Sequence, residues 1–215
     1  MTIHAPRFQP PSLRDLRESD LSDLLPGDLR DGESFHGASL ADRDLADLTF
    51  SECSFTDLAL GGLVCRGVRF TECTIVSADG ATISAPSSTL RDVEVSHSRV
   101  GSFEGHDSRW NSVRFTGCKL GYINLRGSRI ADVVFEDCQI DELDLGAATA
   151  KRVSFHGCRV GTLEVQGAAL KDVDLRGLDL ARIVGIDGLS GAVIDDGQLL
   201  QLAPLLAAQL GIEVV

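Results

Sequence analysis

The residues with chemistry to offer recur at a fixed interval. Cys118, Cys138 and Cys158 lie twenty apart, each three residues after a phenylalanine (Phe115, Phe135 and Phe155). Thiols in such a row could ligate a soft metal, but sites of that kind draw on close Cys-x-x-Cys pairs, and the sequence has none. The five histidines, His4, His36, His97, His106 and His156, are scattered. Carboxylates follow the same interval. Glu52, Glu72, Asp92, Asp132 and Asp172 form one series, and Asp44, Glu104, Asp144 and Glu164, with Glu142 beside them, form another. The repeat lays these acids out, so their regular spacing says nothing about acid–base catalysis. There is no GxSxG and no phosphate-cradling glycine loop before a helix. The sequence therefore offers no catalytic, cofactor-binding or metal-binding residues and reads as non-enzymatic.

The elements behind this spacing are short and regular. Every fifth residue is apolar: Leu120, Leu125, Ile130, then Ile140, Leu145, Ala150, then Val160. A period of five inside a period of twenty fits neither helix nor strand. It fits a solenoid in which four five-residue sides make one square turn. Wrapped at twenty, Phe35, Phe55, Phe115, Phe135 and Phe155 fall in one core column, with Ile75, Val95 and Leu175 in the remaining places. Positions two earlier sort as well: Leu63, Ile83, Phe103, Ile123, Leu143, Leu163 and Ile183 are bulky, and Ser88, Ser108, Ser128, Ala148 and Ala168 are small. Gly80, Ala85 and Gly105 are weak centres and predict a thinner, bulged or bent middle.

This pattern resembles the pentapeptide-repeat family, whose unit is A(D/N)Lxx with a central Leu or Phe. The matching stretches include Gly37-Ala38-Ser39-Leu40, Leu178-Asp179-Leu180 and Lys171-Asp172-Val173-Asp174-Leu175. The resemblance implies an all-β solenoid, a right-handed quadrilateral β-helix of about seven to eight coils with a short C-terminal helical cap. Residues 33–184 would form the coils, residues 1–32 an extension that is partly ordered or mobile, and residues 185–215 the cap and dimerisation element. Leu13, Leu16, Leu21 and Leu24 predict a short helix after Ser12, ending at Pro26.

The charge balance then narrows the function. A net charge of −12 argues against binding nucleic acid or an anionic membrane directly. No apolar run is long enough to span a bilayer, and the start does not read as a secretion signal, so a cytoplasmic location is expected. All six cysteines fall on inward positions and read as buried thiols in a reducing compartment. The two acidic series would lie on opposite sides of the rod, an arrangement that imitates the two phosphate rows of duplex DNA. Arg69, Arg109 and Arg129 line a basic edge, and Arg99, Lys119 and Arg159 line another. Gly191-Ala192-Val193 leads into a helix starting near Asp195 or Asp196, kinked or divided at Pro204 and ended by Gly211. This tail is similar to that of the gyrase-protecting subgroup linked to fluoroquinolone resistance in bacteria. That likeness implies pairing of two rods end to end. The leucines of this helix exceed what one coil end can cover, so a homodimer is expected, with Leu200 and Leu205 in contact and Leu202 and Leu206 facing their own coil. The functional expectation is a DNA-mimicking modulator or protector of DNA gyrase or another type II topoisomerase. The alternative is a protein–protein scaffold with an unrelated cytoplasmic partner.

Overall fold

An apolar residue at every fifth position can be buried only if each five-residue segment turns a corner. The computed structural model, described here for residues 3–213, shows how the corner is made. One column of corner residues, Glu52, Glu72, Asp92, Ser112, Asp132, Arg152 and Asp172, has positive φ, between 50° and 58°. Asp tolerates the left-handed region through local hydrogen bonds better than most residues do. Three Asp members of the acidic series thus have a conformational reason to be there.

Strands stack in parallel at an offset of twenty residues. Phe115 lies against Phe135, and Phe135 against Phe155; on another side Leu120 lies against Ile140, and Ile140 against Val160. The result is a parallel solenoid of a 12-stranded and a 7-stranded sheet. Along one side ten strands stack, from Arg17–Glu18 to Ala192–Val193, which makes nine steps. At about 4.8 Å each they give a rod of about 43 Å. The coil count exceeds the seven to eight expected because both ends add strands outside the strict repeat. Arg17 pairs with Glu33 at an offset of 16, and Val173 with Ala192 at an offset of 19.

Inside, Phe35 and Phe55 stack at 5.1 Å between ring centroids. Phe115, Phe135 and Phe155 stack at 5.0 and 5.1 Å, and all five rings are buried. The small inward columns do polar work. The amides of Ser88 and Ser108 donate to Ser108 Oγ and Ser128 Oγ of the following coil, at 2.9 and 3.0 Å. Cys138 N–H likewise reaches Cys158 Sγ at 3.4 Å. Sulfur and hydroxyl hold the same structural position, and all six cysteines are buried and unpaired.

The middle is neither bent nor bulged. Gly80 pairs with Val100 and Val100 with Leu120, in unbroken register. Backbone ladders fix the cross-section of the coil, so the side-chain volume missing at Ala85 is not closed by a narrower coil, and an internal void of about 140 Å³ remains. At about 24 cal/mol per Å³, such a void costs on the order of 3 kcal/mol. At Gly80 and Gly105 a neighbouring side chain takes up the space instead: Ile83 Cδ1 lies 3.3 Å from where a Cβ at Gly80 would be, and the Phe103 ring occupies the place of a Cβ at Gly105.

Both ends are closed. No helix forms after Ser12; residues 3–16 contain no regular element, and Leu21 and Leu24 instead bury themselves against the first coil. Arg43 donates to the carbonyls of both leucines. At the other end a 3-10 helix, Ile186–Leu189, replaces one side of the last turn. Gly188 is required there, since a Cβ would lie 1.7 Å from Val165 O. Helix α1, Asp196–Gln209, follows as one continuous helix with Pro204 inside it, not divided. Asp195 and Gln198 form its capping box. Gln198 Nε2 also donates to Leu175 O and Leu178 O, at 2.6 and 3.0 Å, which seats the helix on the last coil.

Candidate functional site

A solenoid presents its outward columns as four flat sides and four corners, so the candidate site is a surface. The first acidic series occupies one corner. Glu52 and Glu72 are exposed, and Asp92 is half-buried with Arg91 Nε 3.3 Å away. Asp132 and Asp172 are buried. They are therefore not partner-facing, contrary to the sequence expectation.

What covers them is the N-terminal segment, which runs extended along this corner. His4 N–H donates to Asp172 Oδ1 at 3.3 Å, Arg7 N–H to Asp132 Oδ1 at 2.9 Å, and Gln9 N–H to Ser112 Oγ at 3.3 Å. Three extended residues span about 10 Å and two coil steps about the same, so His4 and Arg7 match Asp172 and Asp132. Phe8 lies under the Arg114 guanidinium, 4.2 Å from ring centroid to Cζ. Arg152, in the same column, forks onto Asp132 through Nε and Nη2. Position 152 is legible in the repeat as an acidic-column place held by arginine. The arm is not legible, because it is held mostly through its backbone amides.

Burial alone would raise the Asp132 pKa, but hydrogen bonds from Arg152 and from the Arg7 amide outweigh it and hold the carboxyl below its ordinary range. For Asp172 the His4 amide and ring outweigh burial in the same way. A depressed folded pKa means the contribution is fully present above the unfolded value of about 4 and is lost as pH falls from there through the lower folded value. Hydrogen exchange at Arg7 and Gln9, corrected for intrinsic rates, is expected to be slow at neutral pH and to lose most of its protection below about pH 4. Asp132→Gly suits the positive φ and should release the arm at neutral pH. Unchanged protection at Arg7 in that variant would overturn this account.

The second acidic series is also largely engaged. Asp44 is exposed. Glu104 accepts from Asn124 Nδ2 at 2.7 Å. Asp144 is buried and takes Arg126 Nη1 at 3.1 Å, and Glu164 lies 3.5 Å from the same nitrogen. Burial, and then the Asp144 carboxylate, push the Tyr122 phenol up to about 12. Two continuous anionic rows are therefore not present along the C-terminal half.

The side leading into the first acidic corner is cationic. Arg69, Arg91, Arg109, Arg129, Lys151 and Lys171 are all exposed on it. Arg109 and Arg129 are direct ladder neighbours, as are Lys151 and Lys171. Arg99, Lys119 and Arg159 share a column on the next side but one. At the end of the rod Leu202 is buried against its own coil, whereas Leu199, Leu200, Leu205 and Leu206 are exposed. Leu206 thus differs from the sequence expectation. Among the described residues no group of His, Cys, Asp and Glu is arranged to hold a metal ion, and no helix is long and apolar enough to cross a membrane.

Residues 108–183 match the family model described as a pentapeptide repeat region. No curated protein matches the chain. Among solved structures, it is similar to HetL, a pentapeptide repeat protein involved in heterocyst differentiation regulation from the cyanobacterium Nostoc sp. strain PCC 7120. The identity is 15% and the TM-score 0.40, over 80% of this chain and 91% of that one. It is also similar to full-length QnrB1, a plasmid-mediated fluoroquinolone resistance protein, at 17% identity and TM-score 0.31, over 91% of this chain and 95% of that one. A trypsin-treated variant of QnrB1 gives 16% and 0.34, over 92% and 96%.

Proposed function

We propose that this pentapeptide-repeat protein acts without catalysis, as a rod that recognises a partner protein through its outward side-chain columns. The observation that carries this reading is the cationic side. Like charges stacked as direct ladder neighbours, Arg109 on Arg129 and Lys151 on Lys171, destabilise a sheet. Among the described residues none of these four has a carboxylate within ion-pair distance. A partner surface carrying carboxylates would neutralise them, and contacts of that kind give specificity and on-rate. In this reading the protein is a scaffold for an acidic partner.

A second reading is favoured by the net charge of −12 and by the length of the rod. In it the protein is a DNA-mimicking modulator or protector of DNA gyrase or another type II topoisomerase, and works as a C-terminal homodimer. The paired and covered carboxylates at Asp132, Asp144 and Asp172 favour the scaffold over this mimic. A gyrase supercoiling assay with the purified protein separates the two. The scaffold reading expects unchanged supercoiling at micromolar protein, with and without a fluoroquinolone. Inhibition, or protection from the drug, would establish the topoisomerase reading in its place.

A further inference from the structure

We propose that the void in the middle of the rod is a binding site for one small, neutral, wholly apolar molecule, about the size of a single aromatic ring. The void lies beside the weak core centre Ala85, whose neighbours in the column are Cys65 and Gly105, also small. It measures about 140 Å³. Its walls include Phe70, Ile75, Val95, Val100, Phe103 and Trp110. Five of these, all but Trp110, face inward yet keep accessible surface, while Phe50 and Phe55, in the columns of Phe70 and Ile75, are fully buried. That residual surface is what a cavity leaves on its lining.

The chemistry of the walls selects the occupant. Ser88, Cys65 and Trp110 line the void without exposing a polar atom to it; the Ser88 hydroxyl is engaged by Ser108 Oγ at 2.9 Å, and the Trp110 indole N–H is buried without a partner. Water needs two to four polar partners to occupy a cavity and finds none here. A charged or hydrogen-bonding ligand would lose its hydration without compensation. An apolar cavity of about 150 Å³ lined by aliphatic and aromatic side chains stays dry and accepts benzene or xenon. The ladders around the void are continuous, so entry takes place through local opening of the coils.

The chain's single tryptophan, Trp110, lines the void and serves as the reporter. Benzene is the probe, added to the full-length protein while tryptophan fluorescence and melting temperature are followed. The expected result is a saturable change in Trp110 emission together with a melting temperature that rises with benzene concentration. Ala85→Leu fills the space and should weaken the apparent affinity at least tenfold. Should that variant fail to fold, Val100→Ile adds one methylene to the same wall and should weaken binding severalfold. No saturable change in the wild type overturns the site. So does an equal response in the filled variant, which would place benzene elsewhere, at the exposed leucines of α1.

Discussion

Phe135→Ala is expected to lower the unfolding free energy by about 3–5 kcal/mol, the full cost of truncating a buried aromatic whose site does not collapse. Phe135 is fully buried and stacks between Phe115 and Phe155, with interplanar angles of 10° and 5°. What sets the size of the loss is whether the surroundings can collapse. In this fold they cannot do so easily, because the strands on every side are tied to their neighbours one coil away. The protein already demonstrates this at Ala85, where a missing side chain leaves a void and not a narrower coil. Truncating Phe135 should likewise leave its cavity nearly whole, and disrupt two stacked pairs as well. Urea unfolding of wild type and variant measures the difference. A loss below about 1 kcal/mol would mean that the coil relaxes around a missing ring, which contradicts the rigidity inferred from the void.

The same rigidity explains what could be read in the sequence. The columns were legible because side-chain direction repeats every five residues and stacking repeats every twenty. Phe35 to Phe155, the bulky row at Leu143 and the small row at Ser108 all follow from that arithmetic. The state of the middle was not legible. Composition reports that Gly80 and Ala85 are small, but only the backbone ladder decides between a bend and a void. The arm was hidden for another reason. Amides of His4, Arg7 and Gln9 make its hydrogen bonds to the corner, and backbone groups leave no periodic signature. The acidic corner was visible as a series, but its purpose was ambiguous. The positive φ shared by Asp92, Asp132 and Asp172 gives aspartate a local reason to be there, independent of any partner.

Removing the leucine face of α1 is expected to convert a homodimer into a monomer. The helix carries more apolar surface than its own coil can cover. Gln198 and Leu202 face the last coil and are buried. Leu200 is 76% exposed, Leu210 75%, Leu205 47% and Leu206 36%. At 3.6 residues per turn, Leu199, Ala203, Leu206 and Leu210 fall on one stripe, Leu200 borders it, and Leu205 lies on the opposite flank. Leu205 there lines an open groove with Ile186 and Ile183 of its own chain. Each leucine left in water forgoes about 1.5–3 kcal/mol of burial. A two-fold axis across the stripe would bury it from both sides with one self-complementary surface. Deleting residues 195–215 would test this coarsely, because the deletion also removes Gln198 and Leu202 from the last coil. Leu199→Asp with Leu210→Asp leaves both in place and charges the contact alone. Light scattering should give twice the 22.9 kDa chain mass for wild type and the single mass for the double variant. A wild-type monomer at micromolar concentration sinks the proposal, as does a dimer that survives both charges.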